Sequence, residues 1–169
     1  MTDTITVAEA GRPLAFSFDT LMLHHGGGFP GGVAHALKAM QAGFAALSDA
    51  PLERREITVV TAFSGPGGRD AIECVTRAIS DGRFTLDRSL NPGNVIDTPP
   101  GPYLWCFGYR GATVEVTIRP GHVREEFVRL GAKPDKTEAE VARHEELKAE
   151  MASRLLPQPA TDIYEVRRL

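Results

Sequence analysis

His24 and His25 run directly into Gly26-Gly27-Gly28-Phe29-Pro30-Gly31-Gly32, and Ser64-Gly65-Pro66-Gly67-Gly68 runs directly into Arg69 and Asp70. An apolar stretch with helical spacing follows each turn, so each turn places bare backbone ahead of a helix N-terminus. The unpaired N–H groups and the positive end of the helix dipole suit such a place to an anion or a polar ligand. Glycine there permits positive φ and lets a ligand approach the backbone closely. The two turns are expected to be neighbours in space and to form one site, with His24, Gly26, Gly27, Gly28, Gly67, Gly68 and Arg69 as ligand-binding residues.

Three chemistries are open to these residues. His25 can act as a general acid or base with Asp70 orienting its ring, while Arg69 holds a carboxylate or phosphate. Asp70 can instead simply cap its helix or meet the helix dipole. His24 or His25 can ligate a metal such as zinc, but adjacent residues point to different sides of a helix, so the pair cannot chelate one ion as i, i+4 histidines do. His35, His122 and His144, by contrast, read as packing or solvated residues, and Glu138, Glu140, Glu145 and Glu146 as a solvated helix face.

Composition limits the partners. The 169 residues are 42% hydrophobic and 24% charged, enough for one domain, 1–169, with a substantial core. A net charge of −3 supplies no basic field for nucleic acid despite Arg54-Arg55 and Arg167-Arg168. No apolar run approaches the roughly 20 residues that span a bilayer, and Met1 to Thr4 do not begin a secretory signal, so a cytoplasmic protein acting on a small molecule is expected. Cys74 and Cys106 have neither metal-knuckle nor disulfide-framework spacing and read as buried, inert thiols.

The elements that must position the site follow from periodicity and turn residues. An N-terminal hairpin is expected at about 1–17, a short helix over Phe18 to His25, and a helix from Gly32 to Leu47 carrying Val33, Leu37, Met40, Phe44 and Leu47 on one face. Ile57 to Phe63 is a β-branched strand that leads through the second glycine turn into a helix over Asp70 to Ile79, stopped by Asp81-Gly82. Arg83 to Leu90 reads as a strand, Asn91 to Pro102 as a loop, and Tyr103 to Ile118 as a hairpin turning at Arg110-Gly111. A C-terminal helical segment occupies about 121–169, with its charged helix from Lys136 to Leu155 and a closing strand at Ile163 to Val166.

The order of these pieces from Phe18 onward resembles the formylmethanofuran dehydrogenase E-subunit family. In that family a histidine-glycine-histidine segment leads to Cys-Pro-Gly and a helix; here His25, Pro30 and Gly31 are retained. A second family motif has a cysteine shortly before Asp-Ala-Ile, and here Gly67 stands at that place ahead of Asp70-Ala71-Ile72. The resemblance implies an α+β fold, with a mixed, largely antiparallel sheet and helices packed on one face, and a homodimer. It also implies a transition-metal site, yet Gly27, Phe29 and Gly67 replace three of the ligand side chains, which argues against zinc here and leaves room for a small molecule. The leading expectation is a protein of this family that binds a small polar or anionic ligand between two glycine-rich helix N-termini. The alternatives are an enzyme of one-carbon or cofactor metabolism using His25, and a metal-binding protein using His24 or His25.

Overall fold

The computed structural model describes residues 3–169; Met1 and Thr2, which the sequence places in the N-terminal hairpin, lie outside them. The fold is α+β. Strands β1 (Thr4–Glu9) and β2 (Arg12–Ser17) form the expected hairpin. Helix α1 (Phe18–His25) follows at once, its Thr20 N–H donating to the N-cap hydroxyl of Ser17. Next come α2 (Pro30–Leu47), β3 (Thr58–Thr61), α3 (Pro66–Thr76) and β4 (Phe84–Leu86). The chain ends with β5 (Leu104–Tyr109), β6 (Ala112–Ile118), α4 (Glu125–Ala132), α5 (Glu138–Leu155), α6 (Ala160–Ile163) and β7 (Tyr164–Arg168).

The second sheet has the order β4-β3-β5-β6-β7, parallel only at β3–β4, where α3 makes the crossover, and antiparallel elsewhere. Period-two alternation separates its faces. Val59, Phe107 and Val114 lie in register and are fully buried, as are Trp105 and Val116, whereas the opposite face carries Val60, Cys106, Glu115 and Arg167 in register, closed by an Arg167–Glu115 ion pair of 2.9 Å. The helices therefore cover one face.

Helix α2 is the centre of that layer. The sequence gives it one apolar stripe, but Val33 to Met40 are all buried, including His35 and Lys38, because the sheet, α3 and α5 enclose it on all sides. Lys38 is tolerated there because its ammonium donates to the carbonyls of Leu156 and Gln158, at 2.9 and 2.7 Å, and pairs with Asp3 at 2.6 Å. His35 shares a 2.7 Å hydrogen bond with the Tyr164 hydroxyl through Nδ1, while its Nε2 is buried without a partner among the described residues.

Several boundaries differ from the sequence reading for identifiable reasons. Helix α3 begins at Pro66 rather than Asp70, because proline suits the first helical position, and it ends at Thr76 because Arg77 adopts the left-handed conformation at φ 58°. Strand β4 stops at Leu86 because Asp87 turns the chain, its carboxylate accepting from the Ser89 N–H at 2.9 Å. Helix α4 is a separate element inside the C-terminal helical segment, joined to α5 by a turn whose Thr137 and Glu140 form a capping box. Among the described residues no helix is long and apolar enough to cross a membrane.

Candidate functional site

The two glycine turns meet. Helices α2 and α3 start side by side: a β-carbon on Gly67 would lie 2.5 Å from the Phe29 carbonyl oxygen and 3.0 Å from the Val33 nitrogen, and one on Gly32 would lie 3.3 Å from the Gly68 nitrogen. These glycines are thus required by backbone approach between helices. Gly26, Gly27 and Gly28 do something else. They are exposed and a β-carbon on any of them would meet nothing; Gly26, at φ 85°, ends α1 in the left-handed conformation with its N–H on the Met22 carbonyl.

His25 fastens the two starts to α1. Its Nδ1–H donates to Asp70 Oδ2 at 2.7 Å, and its Nε2 accepts the Phe29 N–H at 3.0 Å, a pairing that places the ring proton on Nδ1. Asp70 therefore orients His25 and does not cap α3, whose N-cap is Gly65 with no side-chain bond. Service as acid, base or metal ligand would require Nε2 to release the Phe29 amide. The side chains of His24 and Arg69 are exposed and make no hydrogen bond or ion pair among the described residues. No three His, Cys, Asp or Glu side chains gather as a metal site among those residues. Both thiols are free, and burial pushes each above its ordinary pKa.

In front of the paired helix starts lies a partly enclosed cavity of about 210 Å³. Gly32, Gly65, Pro66 and Gly67 form its floor, but of the residues that the sequence named for the site only Gly67 lines it. His24, His25, Gly26, Gly27, Gly28, Gly68, Arg69 and Asp70 do not, and Gly26 and Gly27 border a separate depression with Asp19, Met22 and Leu23. The remaining walls come from regions that the sequence reading left out. Phe63 and Tyr103 form a stacked pair with ring centroids 4.4 Å apart, both nearly inaccessible to solvent. Phe63 is held there by its N–H on Thr61 Oγ1 at 3.0 Å. Pro99 and Pro100 close a second side, their loop tied to the end of β3 by the Ser64 N–H on the Pro100 carbonyl at 2.7 Å.

The α4–α5 hairpin closes the third side with Phe127, Val128 and Gly131 from α4 and His144 and Lys148 from α5. It is set by Arg143 forking onto Glu126 at 2.9 and 3.0 Å and by Lys133 on Glu140 at 2.7 Å. The His144 ring lies 5.1 Å from that of Phe127, and its Nε2 is buried without a partner among the described residues. Burial, then Lys148 and Lys136, hold His144 below its ordinary pKa, so it is neutral near pH 7 and carries one ring proton. The Lys148 ammonium lies 4.4 Å from the centre of the Phe29 ring at the rim, its side chain 11% exposed, and contacts Glu145 at 2.6 Å. Tyr103, whose hydroxyl makes no hydrogen bond among the described residues, is held protonated by burial.

The cavity's electrostatics follow. Two helix starts converge on it with no acidic residue in either first turn, and their positive ends add to the Lys148 charge. A larger depression of about 420 Å³ touches neither glycine turn and has Asp49 as its one ionisable lining residue. His144 and Lys148 had an available sign in the sequence, their i, i+4 spacing, but the same spacing recurs in surface ion pairs such as Arg154–Glu150. Neither a family model nor a curated protein matches this chain.

Proposed function

We propose that this protein binds a small polar or anionic molecule in the cavity before the paired starts of α2 and α3. The observation that carries the reading is a cavity of about 210 Å³ with Gly32 and Gly67 in its floor and two helix N-termini without acidic residues behind it. Concave, mostly apolar sites with few polar groups are the usual form of small-molecule sites. The reading keeps the kinship with the formylmethanofuran dehydrogenase E-subunit family. What supports that kinship is the convergence of His25, Phe29 and Gly67, three positions matched to the family's motifs, around one backbone junction. A cytoplasmic homodimer belongs to the same proposal.

Native mass spectrometry of protein purified without added metal or chelator tests it. The expected spectrum shows two chains and an added small-molecule mass that Gly131→Leu removes. Bare protein, with no thermal shift across a panel of small acids and heterocycles, would overturn the binding reading, and a single-chain mass would remove the dimer.

A further inference from the structure

The walls of the cavity differ sharply in kind. Its body is formed by Phe63, Tyr103, Phe127 and two prolines, surfaces that offer ring faces and edges and almost no hydrogen bonds. Apart from the Tyr103 hydroxyl, its polar side-chain groups lie on the α5 side and at the rim, where the buried, unpartnered Nε2 of His144 and the Lys148 ammonium stand one helical turn apart. An apolar cavity of about 150 Å³ admits a benzene ring, so 210 Å³ holds one ring and a small substituent. We propose that the occupant is a small aromatic monocarboxylate, an inference that rests on the binding reading above.

The ring lies against the Phe63–Tyr103 pair, where offset stacking and apolar burial both favour it. The carboxylate reaches the α5 side, accepting from Lys148 Nζ and from a proton on His144 Nε2. Glu145, the existing partner of Lys148, has a 59% exposed side chain and holds by a single i, i+3 contact, so an incoming carboxylate displaces or shares it at little cost. A bare inorganic anion leaves the aromatic walls uncovered, and a neutral ring leaves the ammonium without a new partner.

Calorimetric titration and thermal shift with benzoate, benzamide and inorganic phosphate test the assignment. Benzoate is expected to bind one per chain, at least tenfold tighter than benzamide, with no saturable phosphate binding. Lys148→Met is expected to weaken benzoate by about ten- to a hundredfold and to change benzamide less than threefold, with Lys148→Gln as a second replacement. Gly131→Leu tests the location, since a β-carbon there meets only His144 Nε2 and Pro99 at ordinary contact distance. It is expected to abolish benzoate binding while the free protein keeps its melting temperature. Equal affinity for benzoate and benzamide, or phosphate binding without benzoate binding, overturns the ligand class and leaves the binding reading standing. Undiminished benzoate binding by Gly131→Leu overturns both.

Discussion

Acid should unfold this protein partly through one ring. His35 is wholly inaccessible to solvent inside α2, and desolvation holds its pKa down from 6.5 to about 3. Because the folded value lies below the unfolded one, the advantage of the neutral ring is fully present above pH 6.5. It is lost as the pH falls toward 3, where the unfolded chain binds a proton that the native state refuses. The slope over that window is about 1.4 kcal/mol per pH unit, or about 2.7 kcal/mol between pH 6.5 and 4.5, a large part of the roughly 5–15 kcal/mol that holds a domain together. His122 and His144 are also lowered by burial, and Glu9 and Glu126 are lowered by arginine partners, so wild-type stability alone mixes several titrations. His35→Asn isolates the contribution: it keeps an oxygen or amide near the Tyr164 hydroxyl and removes the titrating ring. Urea unfolding followed by the fluorescence of Trp105, the chain's one tryptophan and 1% exposed, should show the variant less stable at pH 7. The gap should close by about 2.7 kcal/mol at pH 4.5. Parallel stability curves would refute the assignment of a neutral buried ring.

Gly67→Ala should destabilise by about 1–3 kcal/mol through the clash with the Phe29 carbonyl, whereas Gly28→Ala should stay within about 0.5 kcal/mol; thermal denaturation compares them. Arg54 is buried and donates to the last-turn carbonyls of α3, Val75 at 2.8 Å and Cys74 at 2.6 Å. Arg54→Met orphans both and should cost on the order of 3 kcal/mol in urea unfolding, and an unchanged midpoint would refute that role. A double-mutant cycle on His25→Ala and Asp70→Ala should give a coupling of roughly 0.5–3 kcal/mol in stability, and additive effects would deny the clamp.

Local rules carried most of the element order. The left-handed Arg110-Gly111 turn and the β-branched run at β3 are short-range signals that appear where they were expected, while α2 opens at Pro30, two residues before the expected start at Gly32, because proline suits the first helical position. Less legible were features that depend on what covers an element. His35 and Lys38 are polar in sequence and buried in the fold because the sheet, α3 and α5 enclose α2, and no periodicity in one helix reports its neighbours. At the site, the glycines announced helix starts, but not that Gly32 and Gly67 owe their size to the close approach of the two helix starts. The aromatic wall joins Phe63, Tyr103 and Phe127, far apart along the chain, and Lys148 reads as one more surface charge until Phe29 is seen beneath it.

The contact between Gly67 and the Phe29 carbonyl ties together the histories of two distant segments. Any lineage that gains a side chain at 67 must first loosen the backbone around 29–33, or acquire both changes together. Side chains at 67 should therefore appear among descendants of this chain chiefly together with changes at 29–33.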